Sequence, residues 1–586
     1  MANIKYNVDR KLIERNSLLD LIIKNGLIID GTGKPGYKGD LGIKDGRISE
    51  IGNVASPSLQ VVDAENCIVA PGFVDVHTHF DAQIFWDPTL SPSCYHGVTT
   101  AFGGHCGFSI APLSPEAAPY LRSMLARVEG MPENSLKAGV PWNWATFGEY
   151  LDKLEGNIGI NAGFMAGHSA IRRVVMGSRA VGEIATDKEV KSMKTLLAES
   201  LSDGALGFSS SLSTTHNDAL GQPVPSRYAE FTEILELAKT VGEHEGTSIE
   251  FLPGVGIFDD ELRQLMSDLS TTSQRPVNWN VLNPGPEDQM ENQLGTSDIA
   301  KKNGGKVVAL TMPQPVVLRL NLHGGMVFDA MEGWTELFEL PIPERIDKLS
   351  QPAMRKQLDT SAKSGGYFKE ISDWNRWSIH ATTKPENKNL EGKILGDIAN
   401  ESGLDAFDIM LDLAISEDLR TSFIPLDFAG GEAEDLWELR GRLWSDERTV
   451  IGASDAGAHL DMIDTFAFCT NLLAKGVREH RVISIEDAIN QLTLVPAELF
   501  GLKERGALRI GWHADVVILD PETVGCGPIS MKYDLPENEP RVYAQANGIE
   551  HVFVNGLQII ENGTHTGLMP GTVLRSGKDT YTPSLN

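Results

Sequence analysis

The stretch Val69-Ala-Pro-Gly-Phe-Val-Asp-Val-His-Thr-His79 decides how the rest of the chain reads. Side chains alternate faces along a strand with a period of two, so His77 and His79 fall on one side of one strand. Two imidazoles placed in this way can share a divalent cation. The run is apolar and follows a Pro-Gly turn, the pattern of a buried strand that delivers ligands at its C-terminal end. The bland alternative is a pair of histidines that merely closes a strand, since His-x-His also arises by chance.

On either side of this stretch the text changes period. Residues 20–70 carry short alternating apolar runs punctuated by Lys24-Asn-Gly and Lys44-Asp-Gly, which read as hairpin turns. The same texture returns at Ala514–Asp520 and around Asn555-Gly556. Neither end has enough apolar surface for a core of its own, so the two are expected to combine into one small β domain. Between them, strand-like runs such as Val98–Phe102, Ile160–Ala166, Gly204–Ser209, Thr247–Leu252, Val277–Leu282 and Thr449–Ser454 alternate with amphipathic segments. That alternation predicts an α/β fold, a (β/α)8 TIM barrel. The expected domains are 1–70 (N-terminal part of a β-sandwich), 71–500 (the barrel) and 501–586 (C-terminal part of the sandwich). The Gly-, Pro- and charge-rich region 305–425 reads as an inserted loop subdomain or lid.

Bulk composition excludes several classes. Acidic residues outnumber basic ones by 80 to 51, for a formal charge of −29, a field that repels nucleic acid and anionic membrane. Met1–Leu19 has no apolar core of signal-peptide length, and no run of about 18 apolar residues occurs elsewhere. Five scattered cysteines do not form a disulfide framework in 586 residues. A cytoplasmic, reduced protein is expected.

A barrel carries its active site at the C-terminal ends of its strands. His77 and His79 end the first strand, Gly103-Gly-His-Cys106 the second, and His168 the third. His216 lies in the loop after the fourth, and Asp455 ends a late strand. Cys106 could equally be a packing residue, His168 could bond its own turn, and Asp455 could cap a helix. An Asp closing an apolar strand is nevertheless costly unless a charge faces it. Zn²⁺ held by imidazole and thiolate polarises a carbonyl and brings the pKa of water near neutrality. A carboxylate opposite can take the water's proton and return it to a departing amine, and Asp455 suits that general acid/base role.

In these residues the chain resembles the amidohydrolase superfamily, and within it the N-acyl-D-amino-acid deacylases. The matching text is Ala70–His79, His96-Gly-Val-Thr-Thr100, Cys106–Pro112, Gly204–Ser209, Gly452–Asp455, Pro496–Leu502, Gly506–Asp515 and Thr566–Gly571. The resemblance implies a metal-containing barrel with a β-sandwich built from both termini. It also implies hydrolysis of an N-acyl amide, with Asp455 as general acid/base and Cys106 in the metal site. One departure stands out: the fifth and sixth strands, Thr247–Gly254 and Val277–Asn283, lack the histidines usual in such enzymes, and Glu250 is their only metal-capable carboxylate. The expected ligands are therefore His77, His79, Cys106 and Asp455, completed by Glu250, around one Zn²⁺ per subunit. His168 and His216 are expected at the substrate. Arg172, Arg173, Arg227 and Lys384 lie in loops that could supply a cation for a substrate carboxylate. Expected partners are a small N-acyl amide and further copies of the chain in a homo-oligomer. Two other readings remain open: a hydrolase of cyclic amides, carbamates or xenobiotic amides, and a metal-free binding barrel.

Overall fold

The computed structural model describes residues 18–585 except 326, 329–330, 332, 365–366, 427–430 and 432. Most of the Met1–Leu19 segment read above therefore lies outside the described residues. Eight parallel strands follow one another along the chain: β1 (Phe73–Asp75), β2 (Val98–Gly103), β3 (Asn161–Phe164, continued by Ala166–Gly167), β4 (Gly207–Ser211), β5 (Ser248–Leu252), β6 (Val277–Leu282), β7 (Val307–Thr311) and β8 (Thr449–Ile451). Each pairs in parallel with the next. A parallel bridge from Thr78 to Ala456, just past β1 and β8, closes the ring. The inside is packed by Val74, Phe102, Met165, Leu206, Leu310 and Phe500, so the barrel is a filled core below its mouth.

β7 corrects one boundary. The stretch 305–425 was expected to be inserted subdomain throughout, yet Val307–Thr311 sits between β6 and β8. The remainder of that stretch has its own apolar cluster, including Trp334, Trp374, Trp377 and Phe407. An antiparallel pair, Trp377–Ala381 with Ser422–Pro425, runs through it.

Strands from both ends of the chain form a single nine-stranded sheet. Its seam is the antiparallel pairing of Ile68–Pro71 with Val516–Leu519. The Asp45-Gly46 and Asn555-Gly556 turns have the positive φ values that two-residue hairpins demand. Lys24-Asn-Gly differs from expectation: Leu19–Ile28 is one continuous strand, and the register against Tyr37–Lys44 shifts between Ile23 and Gly26. Asn25, at φ 63°, is thus a bulge rather than a turn.

Candidate metal centre

Chain geometry brings the expected ligands together. His77 and His79 lie just beyond β1, and the Thr78 hydroxyl and N–H both bond Phe102 O, which fixes the segment against β2. The His79 N–H donates to Ala456 O at 2.8 Å and the Asp455 N–H to His77 O at 3.1 Å. Asp455 Oδ1 consequently stands 3.2 Å from His77 Nε2 and 3.4 Å from His79 Nε2. Cys106 Sγ lies 3.5 Å from His77 Nε2. Glu250 of β5 accepts the Cys106 N–H at 2.8 Å through Oε2.

The backbone is held in costly shapes here. Cys106 and Asp455 both have left-handed φ values, 56° and 55°, a conformation that non-glycine residues adopt only when their surroundings enforce it. Gly104 makes the approach to Cys106 possible. Its φ is 77°, and a Cβ there would lie 2.2 Å from Met165 O.

The donor set fits a cation. Cys106, His77 and His79 offer one ligand atom each, all within 4.8 Å of one another. The buried atoms His77 Nδ1, both nitrogens of His105, Glu250 Oε1 and Asp455 Oδ1 have no hydrogen-bond partner. Burial pushes the Glu250 carboxyl up to about 8 and the Glu129 carboxyl up to about 7. Burial opposes protonation of His79, but Glu129, 3.5 Å from its Nδ1, and Asp455 outweigh it and raise the imidazole to about 9. Burial alone would raise Asp455, and the two imidazoles overcome it, holding its carboxyl well below the usual range. So many buried carboxylates around one point are stable only if positive charge is among them. Asp455 is the member open to the mouth, with 32% of its side chain exposed.

Several residues here were not predicted as ligands or partners. Asn280 of β6 brings its Nδ2 to 3.4 Å from His77 Nε2 and 3.7 Å from Cys106 Sγ. It lies within β6, one of the two strands that lack a histidine, and its place on that strand was the available signal. His105 stacks on His77 at 4.3 Å between ring centroids. Glu129 follows the helix Ala118–Val128, and nothing local in its sequence marks it.

The remaining expectations divide. His216 is half-buried, its Nδ1 bonds Ser211 Oγ at 2.9 Å, and burial lowers it to about 3 with His79 and His459 adding to the effect. His168 is fully buried, with Nδ1 2.8 Å from Ser210 Oγ and Nε2 2.8 Å from Glu233 Oε1. That leaves neither ring nitrogen for a substrate and corrects the expectation of contact. Arg172 is likewise locked on Glu233. Arg173 lies over the Tyr120 ring at 4.1 Å, and Arg227 Nη1 bonds the carbonyls of Thr214 and His216. Lys384 gives its backbone N–H to Glu417 at 3.0 Å.

A closed parallel barrel with imidazole, thiol and carboxylate donors converging at its C-terminal mouth defines a metal-dependent hydrolase. The amidohydrolase family profile matches residues 60–355 and 430–560, and the chain belongs to that family, in its D-aminoacylase group. The profile of the N-terminal domain of the urease alpha-subunit matches residues 7–74. An uncharacterised protein of Mycobacterium tuberculosis is 30% identical over 542 residues, 87% of this chain and 86% of that one. The N-acyl-D-aspartate deacylase of Alcaligenes xylosoxydans xylosoxydans is 27% identical over 570 residues, 95% of each chain. Among solved structures, the N-acyl-D-glutamate deacylase of Bordetella bronchiseptica, complexed with zinc and a phosphonate inhibitor, has a TM-score of 0.62 at 25% identity. That match covers 95% of this chain and 100% of the other. The enzyme is thus a hydrolase of non-peptide C–N bonds. Among the described residues no helix is long and apolar enough to cross a membrane.

Proposed function

We propose that this enzyme removes the acyl group from an N-acyl-D-amino acid or a closely similar N-acyl amide. The observation that carries the reading is the convergence of His77, His79, Cys106 and Asp455 on one point, with unpartnered ligand atoms buried there. Those four residues would hold one Zn²⁺, with Glu250 completing the set. When bound, the zinc polarises the scissile carbonyl and eases deprotonation of water.

The chain's own groups would do the rest. Asp455 would accept the water proton on its carboxylate and pass it to the leaving amine nitrogen, since it alone of the cluster is open to the mouth. Its N–H bond to His77 O and its left-handed backbone keep that carboxylate aimed at both imidazoles. His216 would meet the substrate, its Nδ1 occupied by Ser211 and its ring half open. His168 would act as a positioning residue, tying β4 to the helix Phe231–Gly242 through Ser210 and Glu233. Asn280 would stabilise the Cys106 sulfur as thiolate through its amide N–H.

The proposed division remains 1–70 and 501–586 for the terminal β domain and 71–500 for the barrel, with the insertion beginning after β7. A cytoplasmic homo-oligomer completes the reading, and sedimentation of the purified enzyme tests its assembly. The functional test is amine release from paired N-acetyl-D- and N-acetyl-L-amino acids, alongside zinc content, for wild type, Cys106→Ala and Asp455→Asn. Cys106→Ala should lose zinc, and Asp455→Asn should lose at least about 100-fold in kcat. Zinc-free wild type, or full activity in both variants, would sink the proposal.

A further inference from the structure

One buried carboxylate joins the two halves of the metal cluster from behind. Val74 and Val76 pack into the barrel interior, so by strand alternation Asp75, between them at the end of β1, points to the opposite face of the wall. It is 0% exposed. A carboxyl group placed there is costly unless donors meet its oxygens. The Ser454 hydroxyl donates to Oδ2 at 2.6 Å, and the His77 N–H lies 3.4 Å from Oδ1.

Ser454 stands just before Asp455 and is as deeply buried as Asp75. Its Oγ accepts the Ala456 N–H at 3.0 Å and lies 3.3 Å from His77 O, while its carbonyl accepts the Thr465 hydroxyl. A serine hydroxyl carries one proton, and the short bond to Asp75 fixes where that proton points, leaving a lone pair for Ala456. The turn held in this way is strained. Ala453 and Asp455 have φ values of 63° and 55°, left-handed shapes that persist only where the surroundings enforce them. Asp75 supplies part of that enforcement, from the segment that also carries His77 and His79.

A single bond thus spans the gap between the two ligand-bearing segments. Asp455 is one residue from Ser454, and His77 is two residues from Asp75. Asp455 Oδ1 stands 3.2 Å from His77 Nε2 and 3.4 Å from His79 Nε2, distances that depend on how the turn is seated. A misplacement of about 1 Å at a reacting group costs on the order of 100-fold in rate.

We propose that Asp75 is a positioning residue for the reaction: by holding Ser454 it sets where the Asp455 carboxylate stands relative to His77 and His79. The proposal rests on the reading of Asp455 as proton carrier and extends it to a residue on the far face of the barrel wall.

The test compares wild type, Ser454→Ala, Asp75→Ala, Asp75→Asn and the Asp75→Ala/Ser454→Ala double variant. Each is loaded with zinc for kinetics on N-acetyl-D-amino acids and with cobalt(II) for visible absorption spectra. Ser454→Ala should keep the metal content of wild type, lower kcat roughly 10- to 100-fold with KM within about twofold, and shift the cobalt bands. Asp75→Ala should do the same, and the double variant should be no slower than either single one, because both act through one bond. Asp75→Asn retains an acceptor for the hydroxyl and should recover part of kcat. A purely structural role would lower the unfolding midpoint and leave kcat and the cobalt bands of the folded enzyme as in wild type. Ser454→Ala with the kcat and cobalt spectrum of wild type therefore overturns the proposal, and so do additive losses in the double variant. If Asp75→Ala fails to fold, Ser454→Ala and Asp75→Asn decide. If Asp455→Asn keeps full kcat, the proton-carrier reading falls, while shifted cobalt bands in Ser454→Ala still uphold the positioning of Asp455.

Discussion

Replacing Glu233 by alanine removes the carboxylate that faces both His168 and Arg172. The carboxylate sits 2.8 Å from His168 Nε2 and within hydrogen-bond reach of Arg172 Nη1. The side chains of Arg172 and His168 are 0% exposed and that of Glu233 is 3% exposed. Without the carboxylate, a guanidinium remains buried with its Nη1 donors unmatched, and only Nη2 keeps its bond to Glu183 O. Removing one partner of a buried pair costs about 3–5 kcal/mol, far more than the loss of a surface ion pair. Glu233→Gln keeps one acceptor and should cost about 2 kcal/mol. Burial alone would raise the Glu233 carboxyl, but His168 and Arg172 outweigh it and hold it below its ordinary 4.5. The stabilisation is therefore fully present above pH 4.5 and fades as acid protonates the carboxyl. The assay is equilibrium urea unfolding of the zinc-loaded enzyme at pH 7, followed by near-UV circular dichroism. A Glu233→Ala variant within about 1 kcal/mol of wild type would refute the argument. So would an unchanged stability coupled to a large rise in KM, which would return His168 to the substrate.

Three further outcomes are expected. His96 is buried between Thr470 Oγ1 at 2.7 Å and Ala544 O at 3.2 Å, and burial lowers it from 6.5 to about 4. The folded state binds fewer protons than the unfolded one across that window, so stability is full above pH 6.5 and falls by about 3 kcal/mol toward pH 4. His96→Asn should flatten that slope in pH-dependent unfolding, and an unaltered slope would count against it. Gly457 has φ 91°, and a Cβ on it would lie 2.7 Å from the His79 backbone. Gly457→Ala should displace His79 and weaken zinc binding by roughly 10- to 100-fold in a competitive chelator titration. Chelation should lower the melting temperature, and free zinc at a thousand times its Kd should restore about 4 kcal/mol; a melting curve indifferent to zinc would contradict the metal site.

The legible parts of the site were those where a strand end and a reactive side chain coincide. His77, His79, Cys106 and Asp455 each lie within a few residues of β1, β2 or β8, so barrel topology alone brings them near one another. Glu129 was illegible because its meeting with His79 depends on where the segment after β2 returns to the mouth, a long-range packing result. Asn280 is illegible as a partner of the site because a neutral amide carries no metal signal, even on a strand that points to the mouth. β7 was hidden by its neighbours: an apolar pentapeptide beside Gly- and charge-rich insertion text looks like part of the insertion. Lys24-Asn-Gly has turn chemistry in isolation, but pairing with strands on both sides keeps the chain extended through it. His168 shows the opposite error, for burial in the Arg172–Glu233 network overrides the prior that a histidine at a strand end meets a ligand.

The seam between Ile68–Pro71 and Val516–Leu519 has a consequence for biosynthesis. Ile68–Pro71 pairs with a segment about 450 residues later, so the terminal sheet is completed only when that late segment has been made, whereas β1, which leads into His77 and His79, pairs with β2. On the ribosome the barrel strands can collapse early, but the terminal sheet must wait. At about 5–20 residues per second, that wait is on the order of half a minute. During it, Cys106 and the His77–His79 pair are already synthesised, while Ile68–Pro71 just before them still lacks its antiparallel partner. A nascent chain arrested before Val516 should therefore hold all eight barrel strands and every proposed ligand while Ile68–Pro71 still lacks its partner, which makes closure of the terminal sheet, rather than of the barrel, one of the last events in the maturation of this enzyme.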